Sequence, residues 1–174
     1  MSVFDSLSRE HSMLLKLVGR LERAAAEPDS RESAREMRNT LLVLFKALEA
    51  HEALEHLVFD DTTELPSPAA YKALDAVERQ HKTLAALREE AAGLLRVLTP
   101  EGGAAIRELA LRLASLLRRH FDDEERKLWP SFNAYAGRST LHRLSLRART
   151  QVKAMERELS LYWAAIDDCL TGRS

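Results

Sequence analysis

The sequence has little of what staples, turns or breaks a chain. Cys169 is the only cysteine, so no disulfide forms within the chain and no cysteine-rich metal or redox motif exists. Such a chain fits a reducing compartment. Glycine and proline are scarce, six and five among 174 residues, and most of them fall between periodic segments rich in Ala, Leu, Arg and Glu, which points to helices. Charge of one sign is missing as well: 26 basic residues face 27 acidic ones, so neither nucleic acid nor an anionic membrane is an expected partner. No apolar run reaches the length of a membrane helix. The first residues carry Asp5, Arg9 and Glu10 rather than a leader's apolar stretch. A cytoplasmic protein is expected.

What is present is helical periodicity. Phe4, Leu7, His11, Leu14, Val18 and Leu21 step by threes and fours over a first helix from about Phe4 to Ala26. Glu27-Pro28-Asp29-Ser30 breaks it, and Asp29 with Glu32 resembles a capping pair for the second helix. That helix carries Met37, Leu41, Leu44, Leu48, His51 and Glu55 to about Phe59. After a loop from Asp60 to Pro66, Ser67-Pro68 reads as a cap and first helical position. The third helix places Leu74, Val77, His81, Leu84, Leu87, Ala91 and Leu94 on one face. Thr99 to Gly103 is the next break. The fourth helix carries Ile106, Leu109, Leu113, Leu116, His120 and Glu124, with Trp129-Pro130 interrupting or ending it. Gly137 looks like a stop. An amphipathic fifth helix runs from about Thr140 to Leu170 through Leu141, Leu144, Val152, Met155, Leu159, Tyr162 and Ile166.

Short loops make successive helices antiparallel neighbours. The expected architecture is therefore all-α: an up-down-up-down four-helix bundle over residues 1–136, with an additional C-terminal helix over 137–174 that packs on the bundle or serves dimerisation. In that topology the early His11, the late His51 and Glu55, the central His81 and the late His120 and Glu124 meet in one layer.

A repeat underlies these positions. His11 and His51 are 40 residues apart, His81 and His120 39 apart, and each second histidine is followed four residues later by glutamate. Each half thus offers His, then His-x-x-x-Glu. Residues four apart on a helix share a face, about 6 Å apart along the axis. A histidine and a glutamate so placed bind one metal and leave a carboxylate oxygen for a second. Imidazole with carboxylate suits iron, and zinc or manganese less decisively. Unpaired carboxylates in an apolar stripe cost several kcal/mol, so a pair of cations between them explains why they are there.

Other residues divide into auxiliaries and surface. Glu52 follows a ligand position and reads as an additional ligand or a support, with Phe121 at its place in the second copy. Glu78 with His81 forms a single Glu-x-x-His, too little for a ferritin-like site, and reads as a surface residue or a support for His81. His56 and His142 read as surface residues, Asp122, Asp123, Glu125, Arg126 and Lys127 as a solvated face, and Tyr71, Trp129 and Trp163 as packing residues.

The doubled pattern, with Glu124-Glu125-Arg126-Lys127-Leu128-Trp129-Pro130 after the second motif and Glu55-His56-Leu57-Val58-Phe59-Asp60 after the first, resembles the hemerythrin-like (HHE cation-binding) family over residues 4 to 133. The resemblance implies a non-haem centre of two iron ions with an oxo, hydroxo or water bridge, ligated by His11, His51, Glu55, His81, His120 and Glu124. It also implies reactivity toward O2, peroxide or NO. Val77 stands where the oxygen-carrying hemerythrins have a further histidine, and Glu124 replaces an aspartate. Both departures point to the more symmetric bacterial branch. The expectation is a protein that binds or senses O2, NO or the iron and redox state. The alternative is an enzyme or iron donor: peroxide or NO reduction, or repair of iron centres.

Overall fold

The computed structural model describes residues 2–59, 68–96, 102–134, 141–146, 148–150, 153–154, 156–158 and 160–161, and all of them that lie in regular elements are helical. Four long helices dominate: α1 (Val3–Ala26), α2 (Arg31–Phe59), α3 (Pro68–Arg96) and α4 (Gly102–Asp123). α4 runs on through a π-helical turn, Glu124–Leu128, into the short α5 (Trp129–Asn133). Adjacent backbones pack α1 on α2, α1 on α4 and α3 on α4. α2 and α3 approach less closely and are tied by side chains, Glu55 to His81 and Glu52 to Arg88. His11 early in α1 meets His51 late in α2, as antiparallel neighbours require.

The caps show where local rules hold and where tertiary contacts override them. α1 opens on a reciprocal box: Ser2 Oγ accepts from the Asp5 amide and Asp5 accepts from the Ser2 amide. The expected Asp29/Glu32 pair does not cap α2. Ser30 and Ser33 do so, each hydroxyl accepting from the other's amide at 3.0 and 3.1 Å. Asp29 is taken by α4 instead, where Arg107 donates to its carboxylate at 2.7 Å and to the Glu27 carbonyl at 2.7 Å. α3 begins at Pro68, a first-turn position where a missing N–H costs nothing. The Ser67 cap, the loops after Phe59 and Arg96, and the Gly137 stop lie outside the described residues.

The core is two apolar clusters with a polar layer between them. The larger cluster spans the end nearer the α1–α2 loop, with Leu14, Leu21, Leu41, Leu44, Leu84 and Leu113 at its centre. The smaller gathers Val3, Leu7, Leu54, Val58, Val77, Trp129 and Phe132 at the other end, together with Leu144 and Ala148 from the C-terminal segment. Arg9 on α1 also pairs with Glu156 at 2.8 Å. The remaining apolar positions expected on the fifth helix, Val152, Met155, Leu159, Tyr162 and Ile166, lie outside the described residues, as does Trp163. One packing expectation fails at the rim, where Tyr71 is 56% exposed, while Leu94 packs against the core though only partly buried. Leu113 is completely buried, so Leu113→Ala is expected to cost about 2–5 kcal/mol, read as a lowered urea midpoint of the metal-free protein.

The interruption near Trp129-Pro130 takes the form of a register slip one turn earlier. Over Glu124–Leu128 the ladder widens, and the Trp129 amide donates to the carbonyl of Glu124, five residues back. Proline at 130 cannot join an ordinary i→i−4 ladder. The slip ends the old ladder and places Pro130 in the first turn of α5. Its consequence is a change of facing: Glu124, Leu128, Trp129 and Phe132 all turn inward. Single π-turns inside α-helices often occur at functional positions.

Candidate metal centre

The layer between the two apolar clusters holds the six residues singled out by the repeat. Five are essentially inaccessible, and His81 retains 22% side-chain exposure. They form two overlapping groups, His11, His51, Glu55 and Glu124, and Glu55, His81, His120 and Glu124, each with donor atoms within 4.8 Å of one another. We call these the first and second positions. Both glutamates belong to both.

The oxygens divide evenly. Glu55 Oε1 lies 3.2 Å from His51 Nε2, and its Oε2 lies 3.1 Å from His81 Nε2. Glu124 Oε2 lies 3.1 Å from His11 Nε2, and its Oε1 lies 3.3 Å from His120 Nε2. Each carboxylate therefore turns one oxygen to each histidine pair. None of these four oxygens has an aligned hydrogen-bond donor, and neither has His81 Nε2 an aligned partner. Buried polar atoms are normally satisfied, and so many orphans aimed at one place call for a shared cationic partner. Two donors at right angles, each about 2.1 Å from one ion, stand about 3 Å apart, which matches the spacing seen here.

For three of the four imidazoles the other face fixes which nitrogen is free. His51 Nδ1 is 3.0 Å from Glu10 Oε2, His11 Nδ1 is 2.9 Å from Glu125 Oε1, and His120 Nδ1 is 3.0 Å from the Gln80 side-chain oxygen. All three partners accept, so Nδ1 carries a hydrogen and Nε2 is the nitrogen turned inward. The His11 ring is held flat between Phe121, at 4.1 Å centroid distance, and Trp129, at 4.8 Å. His51 and His81 lie edge-on to His11 and His120 respectively.

Without metal, the cluster balances its own charge. Burial opposes a proton on His51, but Glu55 and Glu10 outweigh it and raise its pKa to about 10. Burial likewise opposes ionised Glu55, yet the adjacent His51 cation holds its pKa well below the usual carboxylate value. Burial, reinforced by the Glu55 charge, drives Glu124 the other way, well above that value. His11 is pushed well down and His120 down to about 3, chiefly by burial and with a further contribution from the neighbouring His51. The resting arrangement is a His51–Glu55 ion pair with neutral His11, His120 and Glu124.

The auxiliaries sort largely as expected, with Glu52 committed elsewhere. Glu52 turns away to pair with Arg88 at 2.8 Å. Glu78 is exposed and belongs to neither group. His56 and His142 are exposed, although the His56 ring lies 6.5 Å from that of His81. The expected solvated face over 122–127 is only partly that. Glu125 holds His11, and Asp123 accepts from Gln80 Nε2 at 2.8 Å and from Lys127. Glu10 and Gln80 were not anticipated at all. Their signal was available in the repeat: each directly precedes a ligand-position histidine, His11 and His81.

A helical bundle that gathers four imidazoles, three of them buried, around two shared carboxylates defines a cation-binding protein. The family model described as Hemerythrin HHE cation binding domain matches residues 2–132 and also residues 72–167, and the chain belongs to that family. No curated protein and no solved structure matches it. No helix among the described residues is long and apolar enough to cross a membrane.

Proposed function

We propose that this chain is a non-haem protein of two iron ions that binds or senses O2, NO or the iron and redox state, with His11, His51, Glu55, His81, His120 and Glu124 as ligands. The observation that carries the reading is the division of oxygens: Glu55 and Glu124 each address both histidine pairs, the arrangement two bridging carboxylates adopt. Each position receives two imidazole nitrogens and two carboxylate oxygens. For an ion preferring six donors, that leaves places for solvent or a small ligand, and the mixed nitrogen and oxygen set favours iron over zinc or manganese. Iron would supply reversible electron transfer and affinity for diatomic ligands. The chain's own part is to hold the donors at bridging distance, fix His11, His51 and His120 by their Nδ1 hydrogen bonds, and exclude bulk water with the apolar clusters at either end.

Anaerobic reconstitution with Fe2+ should give about two irons per chain, one for each group, with an optical spectrum that changes on adding O2 or NO. A stoichiometric, reversible change supports binding or sensing. Catalytic loss of peroxide or NO supports the enzymatic alternative. A chain that takes up no iron, or whose iron spectrum ignores all three reagents, removes the proposal.

A further inference from the structure

The two halves repeat their inward-facing donors but not what stands behind them. Glu10 precedes His11 and accepts from His51 Nδ1; Gln80, at the same place in the second half, precedes His81 and accepts from His120 Nδ1. Glu125 follows Glu124 and accepts from His11 Nδ1, whereas His56 follows Glu55, its ring 6.5 Å from that of His81. Both imidazoles of the first position are thus backed by carboxylates. In the second position, one is backed by a neutral amide, and no acceptor among the described residues stands on Nδ1 of His81. Glu52, on the same helix as Glu55, gives its charge to Arg88.

We infer that the two ion positions are unequal: the first, at His11 and His51, holds its ion tightly, and the second, at His81 and His120, exchanges it readily. The inference rests on the two-ion reading above and concerns what surrounds it. A carboxylate on Nδ1–H makes the imidazole a stronger donor and adds negative charge near the ion, and losing such a partner typically costs 10–100-fold in affinity. Glu10 is completely buried and Glu125 43% exposed, so Glu10 acts with less screening and carries the larger share. Exposure runs the same way. His81 is the one ligand-position side chain with substantial solvent contact, 22% against 1% or less for the others. A cleft of about 260 Å³ between α3 and α4, edged by Arg79 and Arg119, reaches Gln80, which touches His120. The α2–α3 seam beside His81 is also the one bridged by side chains rather than close backbone packing.

Glu10 and Glu125 are positioning residues in this account, and their removal should be felt at one position only. The test loads the full chain anaerobically with Fe2+ and follows release to an excess of a coloured chelator. The expected course is two phases of equal amplitude, the faster at least about 10-fold quicker, with His81→Ala losing the fast phase. Glu125→Gln and Glu10→Gln keep an acceptor on Nδ1 but drop the charge. Each should speed the slow phase, Glu10→Gln more, up to about 100-fold, and leave the fast phase alone. A purely structural role would move both phases. Gln80→Glu is the less informative reverse, since it sets a second carboxylate against Asp123. A capacity of two ions with a single release phase, or variants that shift both phases alike, overturns the inequality and spares the two-ion reading. A capacity below two overturns both.

Discussion

Glu55→Ala and Glu124→Ala are expected to remove both ions, and yet to differ sharply in what they do to the metal-free protein. Each carboxylate offers one oxygen to each histidine pair, so losing either one strips a donor from both positions at once. Retained iron should fall from about two per chain toward none under conditions that saturate the parent. His56→Ala and His142→Ala, which alter exposed side chains outside both groups, should leave it unchanged. Equal iron in all four variants would sink the ligand assignment.

The metal-free stabilities separate the two glutamates because their resting charges differ. Glu55 is the ionised partner of a protonated, fully buried His51. Removing it leaves a buried cation with only Glu10 opposite, or forces His51 to give up its proton; breaking buried pairs in this way costs about 3 kcal/mol or more. For a chain of this length that is about 6–12 °C in Tm. Glu124 rests neutral beside a carboxylate that repels its charge, with both oxygens lacking donors. Trimming it discards an unsatisfied group and opens a small void, two effects of opposite sign that leave stability within about 1 kcal/mol. Thermal melts of the stripped proteins read the difference directly. Equal losses would mean that His51 and Glu55 do not form the resting ion pair.

How far the sequence disclosed all this depended on the range of the interaction concerned. The His-x-x-x-Glu pairs were legible because helical pitch alone puts His51 over Glu55 and His120 over Glu124, and the apolar stripe around them fixes which way they face. The four long helices follow from the same periodicity. What escaped depends on angles between helices. Whether Glu125 faces water or His11 depends on the one-residue slip of the π-turn, which swings the chain after Asp123 inward. Glu10 lies about 100° around the helix from His11, a place that reads as surface until α2 packs there and His51 reaches it. Asp29 satisfied the local rule for a helix cap and lost the role to Ser30 because Arg107, 78 residues away, binds its carboxylate. Glu52 reads as an additional ligand or a support from the sequence, and Arg88 on α3 takes its charge instead. The overlooked residues were those whose roles are assigned by a neighbouring helix.

Iron or zinc uptake should strengthen steeply as pH rises, because the resting cluster must shed protons to receive ions. His51 holds a proton that a metal must displace from Nε2, and its pKa of about 10 keeps that proton in place throughout the neutral range. Glu124, raised well above the ordinary carboxylate value, holds a second one below its own titration. Since the metal-bound form needs both groups deprotonated, the overall constant for filling the two positions should climb about tenfold per pH unit up to the His51 value. It should climb about hundredfold per unit in the more acidic range, where Glu124 is also protonated. His11 and His120, pushed below neutrality by burial, are already free and add nothing. The same shift acts oppositely on the empty protein. A histidine whose folded pKa is raised contributes stability below its unfolded value of about 6.5. That contribution fades as pH climbs toward 10, so alkaline conditions weaken the empty fold while favouring the filled one. Proton release measured in weak buffer during Zn2+ or anaerobic Fe2+ titration, together with melts of empty and loaded protein across pH, gives both slopes. Uptake that releases no protons would contradict the charge balance drawn for the resting cluster, whereas a gap between loaded and empty melting temperatures that widens with pH is the result this electrostatic arrangement requires.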